Sequence, residues 1–213
     1  MEIDVASQLA RVGRAVSTEQ RDGEPARTVT LSRSYETTAA ELWDAVTRRE
    51  RIERWFLPVS GDLRSGGSYR LEGNASGVIT ECDAGSRFAL TWEFGENMSW
   101  VEVRVSGEEG GLSRLTLAHA EHLSEHWSEY GPGAVGVGWE LALLGLSHHL
   151  EQPDGPRLDE GAFGLSAAGR AFIAGSSEAW AEASLAAGTE PGAAREAAAR
   201  TTAFYTGESP DAR

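Results

Sequence analysis

Two periodicities divide the chain. From Val59 to Glu121 apolar and polar residues alternate with period two, as in strands with one buried face. Phe88, Leu90, Trp92 and Phe94, set against Arg87, Ala89, Thr91 and Glu93, make the strongest such run. Tyr69 and Leu71 alternate in the same way, as do Val101, Val103 and Val105, then Leu115, Leu117 and His119. Gly73-Asn74 and the Gly107–Gly111 stretch supply turns between them, so five or six strands are predicted in a meandering antiparallel sheet. An earlier strand is predicted where Val29, Leu31, Arg33 and Tyr35 alternate with Thr and Ser. After Tyr130-Gly-Pro-Gly133 the period becomes helical, and Val135, Trp139, Ala142, Leu146 and Leu150 fall on one stripe of a long helix.

Shorter helices are predicted around this core. Val5, Leu9, Val12 and Val16 suggest an amphipathic helix over residues 2–16, with Gln20–Ala26 a linker. Thr38-Ala-Ala-Glu41 and Thr47-Arg-Arg-Glu50 read as capping boxes opening two short helices that meet at a bend. Beyond Glu151, residues 152–161 read as a linker. Ser166–Ala187 is an Ala-rich helix with Phe172, Ser176 and Trp180 on one side. A second helix runs from Pro191, a favoured first helical residue, to Gly207, and Ala194, Ala197, Thr201 and Phe204 or Tyr205 are expected to meet the Trp180 face. Such a hairpin is expected to dock on the sheet domain or on a second copy, serving as a lid or as the arm of a homodimer.

The fold class expected is therefore α+β, with an N-terminal helix and linker at 1–26, a sheet-and-helix domain at 27–151, and a linker with a two-helix extension at 152–213. Glycine costs about 1 kcal/mol relative to Ala inside a helix. Gly133, Gly136, Gly138 and Gly145 in the long helix thus imply a compensation, either close backbone packing or space kept open for a ligand.

Composition narrows the partners. All 19 basic residues are Arg against 33 acidic ones, a net charge of −14. That balance disfavours nucleic acid and anionic membranes, which need a basic stripe. No run approaches the roughly 18 apolar residues of a membrane span, and the N-terminus lacks the pattern of a secretion signal. A cytoplasmic protein is expected. The single Cys82 forms no internal disulfide and no multi-cysteine metal site.

Several strings, taken in order, carry a resemblance to a known group. They are Tyr35 to Trp43 (YETTAAELW), Arg54 to Pro58 (RWFLP), Gly61-Asp62, Gly66 to Leu71 (GGSYRL), Leu90 to Trp92 (LTW) and Gly138-Trp139. Over about residues 27–150 the chain resembles the START-like (Bet v 1-like, SRPBCC) superfamily, and within it the bacterial proteins similar to the C-terminal domain of the activator of the Hsp90 ATPase. The resemblance implies a helix-grip fold, a twisted antiparallel sheet wrapped around a long C-terminal helix, here with an added C-terminal helical hairpin. It also implies a cavity for an apolar small molecule, with polyketide cyclase-like chemistry or a chaperone interaction as alternatives.

The expected ligand-binding residues are Phe88, Leu90, Trp92, Phe94, Val101, Val103, Leu115, Leu117, His119 and Trp139, around a largely apolar pocket between sheet and helix. His119, at the end of an apolar alternation, is the candidate polar contact, or with Glu121 a proton-transfer group; a buried, structurally satisfied histidine is the commoner outcome. His122 and His126 lack the spacing of a zinc motif, and no cofactor or metal is expected. His148 and His149 in the last turn of the long helix are read as complements to its dipole. Arg33, Arg70 and Arg104 are read mainly as exposed strand residues. No Gly-x-Ser-x-Gly elbow or phosphate loop is present, so no catalytic constellation is recognised.

Overall fold

A computed structural model describes residues 3–208. Its elements follow the predicted order closely, with one more strand at the start. A six-residue helix α1 (Val5–Ala10) precedes β1 (Val12–Arg21) and β2 (Glu24–Tyr35); then come α2 (Ala39–Thr47) and α3 (Arg49–Trp55). Six strands follow: β3 (Val59–Gly61), β4 (Ser68–Leu71), β5 (Ser76–Asp83), β6 (Arg87–Phe94), β7 (Asn97–Gly107) and β8 (Ser113–His122). The helices α4 (Glu125–Tyr130), α5 (Gly133–Glu151), α6 (Glu160–Leu165), α7 (Ala167–Ala186) and α8 (Pro191–Thr206) complete the described chain. The eight strands form one sheet in the order β1-β2-β8-β7-β6-β5-β4-β3. This is the helix-grip α+β architecture.

Three local expectations are corrected. The N-terminal helix stops at Ala10, and residues 12–21 form a strand instead. The expected linker at 20–26 contains a hairpin turn, with Asp22 at φ 53° and Gly23 at φ 84°. Two left-handed residues in succession give the twist that a tight hairpin needs, and Asp-Gly tolerates them best. Of the two expected capping boxes the first forms only its Thr half, since Glu41 Oε1 accepts from Arg51 Nη2, and the second does not form. Thr38 Oγ1 accepts from the Glu41 amide at 3.2 Å, whereas Thr47 donates to the Trp43 carbonyl and α3 begins without a side-chain cap.

By internal contacts the chain divides into two compact units. The first takes in the chain up to Leu31, His122–Leu144 and the chain from Leu158; the second takes in Ser32–Glu121 and Gly145–Arg157.

In the first unit the C-terminal hairpin packs against the opening of α5. A Cβ on Gly136 would lie 2.1 Å from Trp180 Cε2, one on Gly133 3.1 Å from Thr201 Cγ2, and one on Gly138 2.8 Å from the Tyr205 hydroxyl. Gly136 and Gly138 therefore serve close packing, and the alternative of space held open for a ligand is set aside for those two. Trp180 is fully buried, and its indole lies against bare helix backbone where any other residue would intrude. Polar ties reinforce the docking. Tyr205 Oη donates to the Ala134 carbonyl at 2.7 Å, and Thr201 Oγ1 donates to the Tyr130 carbonyl at 2.8 Å. Pro191 stands in the first turn of α8 and Gly207 caps its end in the left-handed region, as expected. On the same helix α5, Glu140 is buried and takes a bidentate ion pair from Arg14 of β1, at 2.6 and 2.7 Å. The fork matches guanidinium to carboxylate, the geometry that best offsets burial of both charges.

In the second unit α2, α3 and the end of α5 accompany the sheet. Trp55 Nε1 donates to the Ala45 carbonyl at 2.9 Å, and the Trp43 ring meets Phe88 edge-on. Val59, Tyr69, Leu71 and Ile79 form a buried cluster, with Ile52, Phe56, Leu57 and Leu63 packed on it. Arg33 is buried and not exposed as expected. Its Nη2 donates to Ser147 Oγ at 2.9 Å and its guanidinium lies 5.3 Å from the Tyr35 ring centre. His149 also departs from expectation: its Nε2 accepts from Arg51 Nε at 2.9 Å. A ring nitrogen that accepts carries no proton, so this histidine is neutral, and burial with the nearby Arg51 and Arg54 charges holds its pKa below the ordinary value. It therefore adds no charge to the helix end.

Replacing Gly136 with Ala sets a methyl inside the Trp180 ring contact. We expect a loss of about 2–3 kcal/mol in urea unfolding, even after the roughly 1 kcal/mol that Ala gains in helix propensity. Gly138→Ala meets only the tip of Tyr205 and should stay within about 1 kcal/mol of the parent.

Candidate functional site

Residues directly opposite each other in an antiparallel pair project to the same side of the sheet. In β6 and β7, Phe88 pairs with Val103, Leu90 with Val101 and Trp92 with Ser99. In β7 and β8, Val101 pairs with His119, Val103 with Leu117 and Val105 with Leu115. Register thus brings Phe88, Leu90, Trp92, Val101, Val103, Leu115, Leu117 and His119 onto one face. Phe94, opposite Asn97, lies at the end of β6 and is 57% exposed. The face continues through Ile79, opposite Leu90, toward the Val59–Leu71 cluster, against which Leu90 and Trp92 pack. Trp139, the remaining residue expected here, lies on α5 in the first unit and is half-buried.

Burial on this face is uneven. Val101, Val103, Leu115 and Leu117 are buried, but no residue of β6 is, and Phe88, Leu90 and Trp92 remain half-buried. The most apolar alternation of the chain therefore keeps part of its surface open, although full packing would have covered it first.

One end of the face is polar. His119 Nε2 and Ser99 Oγ lie 2.8 Å apart, and the Ser99 hydroxyl reaches the Trp92 carbonyl at 3.2 Å. When that hydroxyl donates to the carbonyl it accepts from Nε2–H, which satisfies all three groups. The imidazole is buried beside the Trp92 ring, 5.9 Å between centres. Burial pulls its pKa down to about 4, so it is neutral near pH 7. His119 is thus held by a side-chain hydroxyl. Glu121, two residues on along β8, projects to the same side as His119. Its Oε1 is buried and meets no hydrogen-bond partner among the described residues. Burial pushes this carboxyl up to about 7. A carboxyl balanced between its two forms near neutrality can accept or give a proton, and either form can bind a polar group.

Ser99 was missed by the sequence reading. It shares the parity of Val101, Val103 and Val105, and a polar residue in an apolar alternation is the signal that marks it. The other histidines do not join the site. His122 ends β8, His126 lies exposed on α4 beside Tyr130, and His148 Nε2 lies 3.0 Å from the Pro156 carbonyl. Among the described residues no three His, Cys, Asp or Glu side chains converge as metal ligands. Arg70 and Arg104 are exposed, as expected. No helix among the described residues is long and apolar enough to cross a membrane.

Comparison with known proteins gives a consistent picture. A model of the family described as activator of Hsp90 ATPase homolog 1-like protein matches residues 36–151. The crystal structure of CalU16 from Micromonospora echinospora is similar at 34% identity, covering 81% of this chain and 97% of that one, with a TM-score of 0.64. Its solution structure gives 32% identity, 83% and 96% coverage and a TM-score of 0.68. DynU16, from the dynemicin biosynthetic locus, shares the fold at 22% identity, covering 62% of this chain and 50% of its own, with a TM-score of 0.55. Among curated proteins none matches significantly.

The two titratable groups of the face drive stability in opposite directions. Glu121 has a reference value of 4.5 and titrates at about 7 in the fold. The native state therefore holds the extra proton over that interval, and stability falls as pH rises through it. His119, at 6.5 in reference and about 4 in the fold, leaves the extra proton on the unfolded chain. Stability consequently falls as pH drops from 6.5 to 4. Between pH 4.5 and 8, Glu121→Gln should gain on the parent by on the order of 3 kcal/mol in urea unfolding. An unchanged difference across that range would place the Glu121 carboxyl in water.

Proposed function

The chain belongs to the activator of Hsp90 ATPase homolog 1-like family, within the START-like superfamily, and from that premise we propose that it binds an apolar small molecule on the β6–β7–β8 face. Half-buried Phe88, Leu90 and Trp92 form the apolar bed, with Val101, Val103, Leu115 and Leu117 behind it, and His119 and Glu121 give the bed a polar end. The observation that carries this reading is the incomplete burial of β6, the most apolar strand of the chain. Covering that surface with a ligand removes apolar area from water at about 25 cal/mol per Å². A ring-bearing ligand with one polar group suits both parts, since its flat body lies along aromatic and branched side chains while its polar group meets Glu121.

A second reading, proton transfer to or from a bound polyketide-like substrate, is favoured by Glu121 Oε1, which is buried without a partner. In that reading the carboxyl is the acid or base, and neutral His119 positions the substrate.

Nile red, a neutral apolar dye, tests the binding reading. It should gain fluorescence saturably with the folded chain. Leu90→Gln should weaken it at least tenfold, while Ala89→Gln, on the opposite side of β6, leaves it unchanged. Absence of saturable binding, or equal affinity for the parent and Leu90→Gln, would count against the site.

A further inference from the structure

A cavity of about 270 Å³ lies wholly within the first unit, among α4, α5, α7 and α8. Alanines of α7 and α8 line it together with Trp127, Trp180 and Arg27 of β2. No acidic residue lines it, in a chain of net charge −14. The serine hydroxyls at its wall are committed to partners within the protein: Ser177 donates to the Ile173 carbonyl at 2.8 Å, Ser128 to the Ser124 carbonyl at 3.1 Å, and Ser184 to Thr189 Oγ1 at 2.8 Å.

Two donors are not committed. Trp180 is fully buried, and its Nε1–H meets no acceptor among the described residues. Arg27 donates from Nη1 to Thr18 Oγ1 at 2.6 Å, but its Nε is buried without an acceptor. No carboxylate among the described residues pairs with this guanidinium, although acidic residues outnumber basic ones across the chain. The Arg27 side chain is half-buried, so an acceptor brought by a ligand can reach its guanidinium.

We propose that this cavity binds a small carboxylate with a flat apolar body. The carboxylate pairs with Arg27, and the body lies among the alanines and the Trp127 and Trp180 rings. An apolar cavity of about 150 Å³ holds one benzene ring, so the larger volume here admits a two-ring acid. The proposal does not depend on the sheet-face reading, because it concerns different residues and a charged ligand.

The test uses the ¹⁵N-labelled full chain, following its assigned tryptophan indole N–H resonances during titration with 1-naphthoate and with its neutral counterpart, 1-naphthalenemethanol. Naphthoate should shift the Trp180 Nε1–H signal saturably, and the alcohol should bind at least tenfold more weakly. Arg27→Gln should reduce naphthoate affinity at least tenfold while leaving the melting temperature near that of the parent. The acid–alcohol comparison uses the unaltered protein, so it decides even if that variant does not fold. A Trp180 signal unmoved by millimolar naphthoate, or equal affinity for acid and alcohol, overturns the proposal. Shifts confined to Trp92 Nε1–H overturn it too, while leaving the sheet-face reading standing.

Discussion

The candidate site depends on one constraint, the register of β6, β7 and β8. Because side chains alternate with period two, a slip of one residue would turn the whole apolar set to the other side. In the observed register Leu90, Val101 and His119 stand in line across three strands, and Trp92 stands beside Ser99. The same alignment puts the Ser99 hydroxyl within reach of the His119 ring and places Glu121 beyond it on the same side. Apolar bed and polar end are therefore products of a single pairing. The hydrogen bonds of Ser99 in turn favour that pairing, since a slip would leave a buried imidazole without its partner.

Helix α5 serves both compact units by different means. Its opening turns in the first unit are bare of side chains where Trp180, Thr201 and Tyr205 approach, so the backbone itself is the packing surface. Its last turns in the second unit carry polar side chains aimed at arginines, Ser147 toward Arg33 and His149 toward Arg51. In between, residues 140–147 are buried on every side of the helix, as expected for a helix enclosed by protein and not lying on a surface. An apolar stripe alone describes this helix poorly. Gly136 and Gly138, which first suggested an empty space, mark close contact, and the half-open apolar surface lies on β6.

The parts legible in the sequence were those written in local periodicity. The alternation of Phe88 to Phe94 and of Leu115 to His119 identified strands and their shared face. Thr38, Pro191 and Gly207 marked helix ends because each acts on the nearest turn of backbone. Where the reading failed, the deciding partner lay far away in sequence. Val5, Leu9, Val12 and Val16 have helical spacing, yet β1 pairs with β2 across Asp22-Gly23, a hairpin signal hidden in a polar stretch. Close packing and open space both call for a missing Cβ, so only the arrival of Trp180 on Gly136 separates them. Arg33 reads as a surface arginine until Ser147 and the Tyr35 ring are seen to receive it. The cavity holding Arg27 and Trp180 joins segments from β2, α4, α5, α7 and α8 and has no motif of its own.

The claim that the β6–β7–β8 face receives a ligand is tested most directly by isotope-filtered NOE spectra of ¹³C-labelled protein with an unlabelled flavonoid bound. The account predicts intermolecular NOEs from the flavonoid rings to the methyl groups of Leu90, Val101 and Leu117. NOEs confined to residues off this face would contradict it.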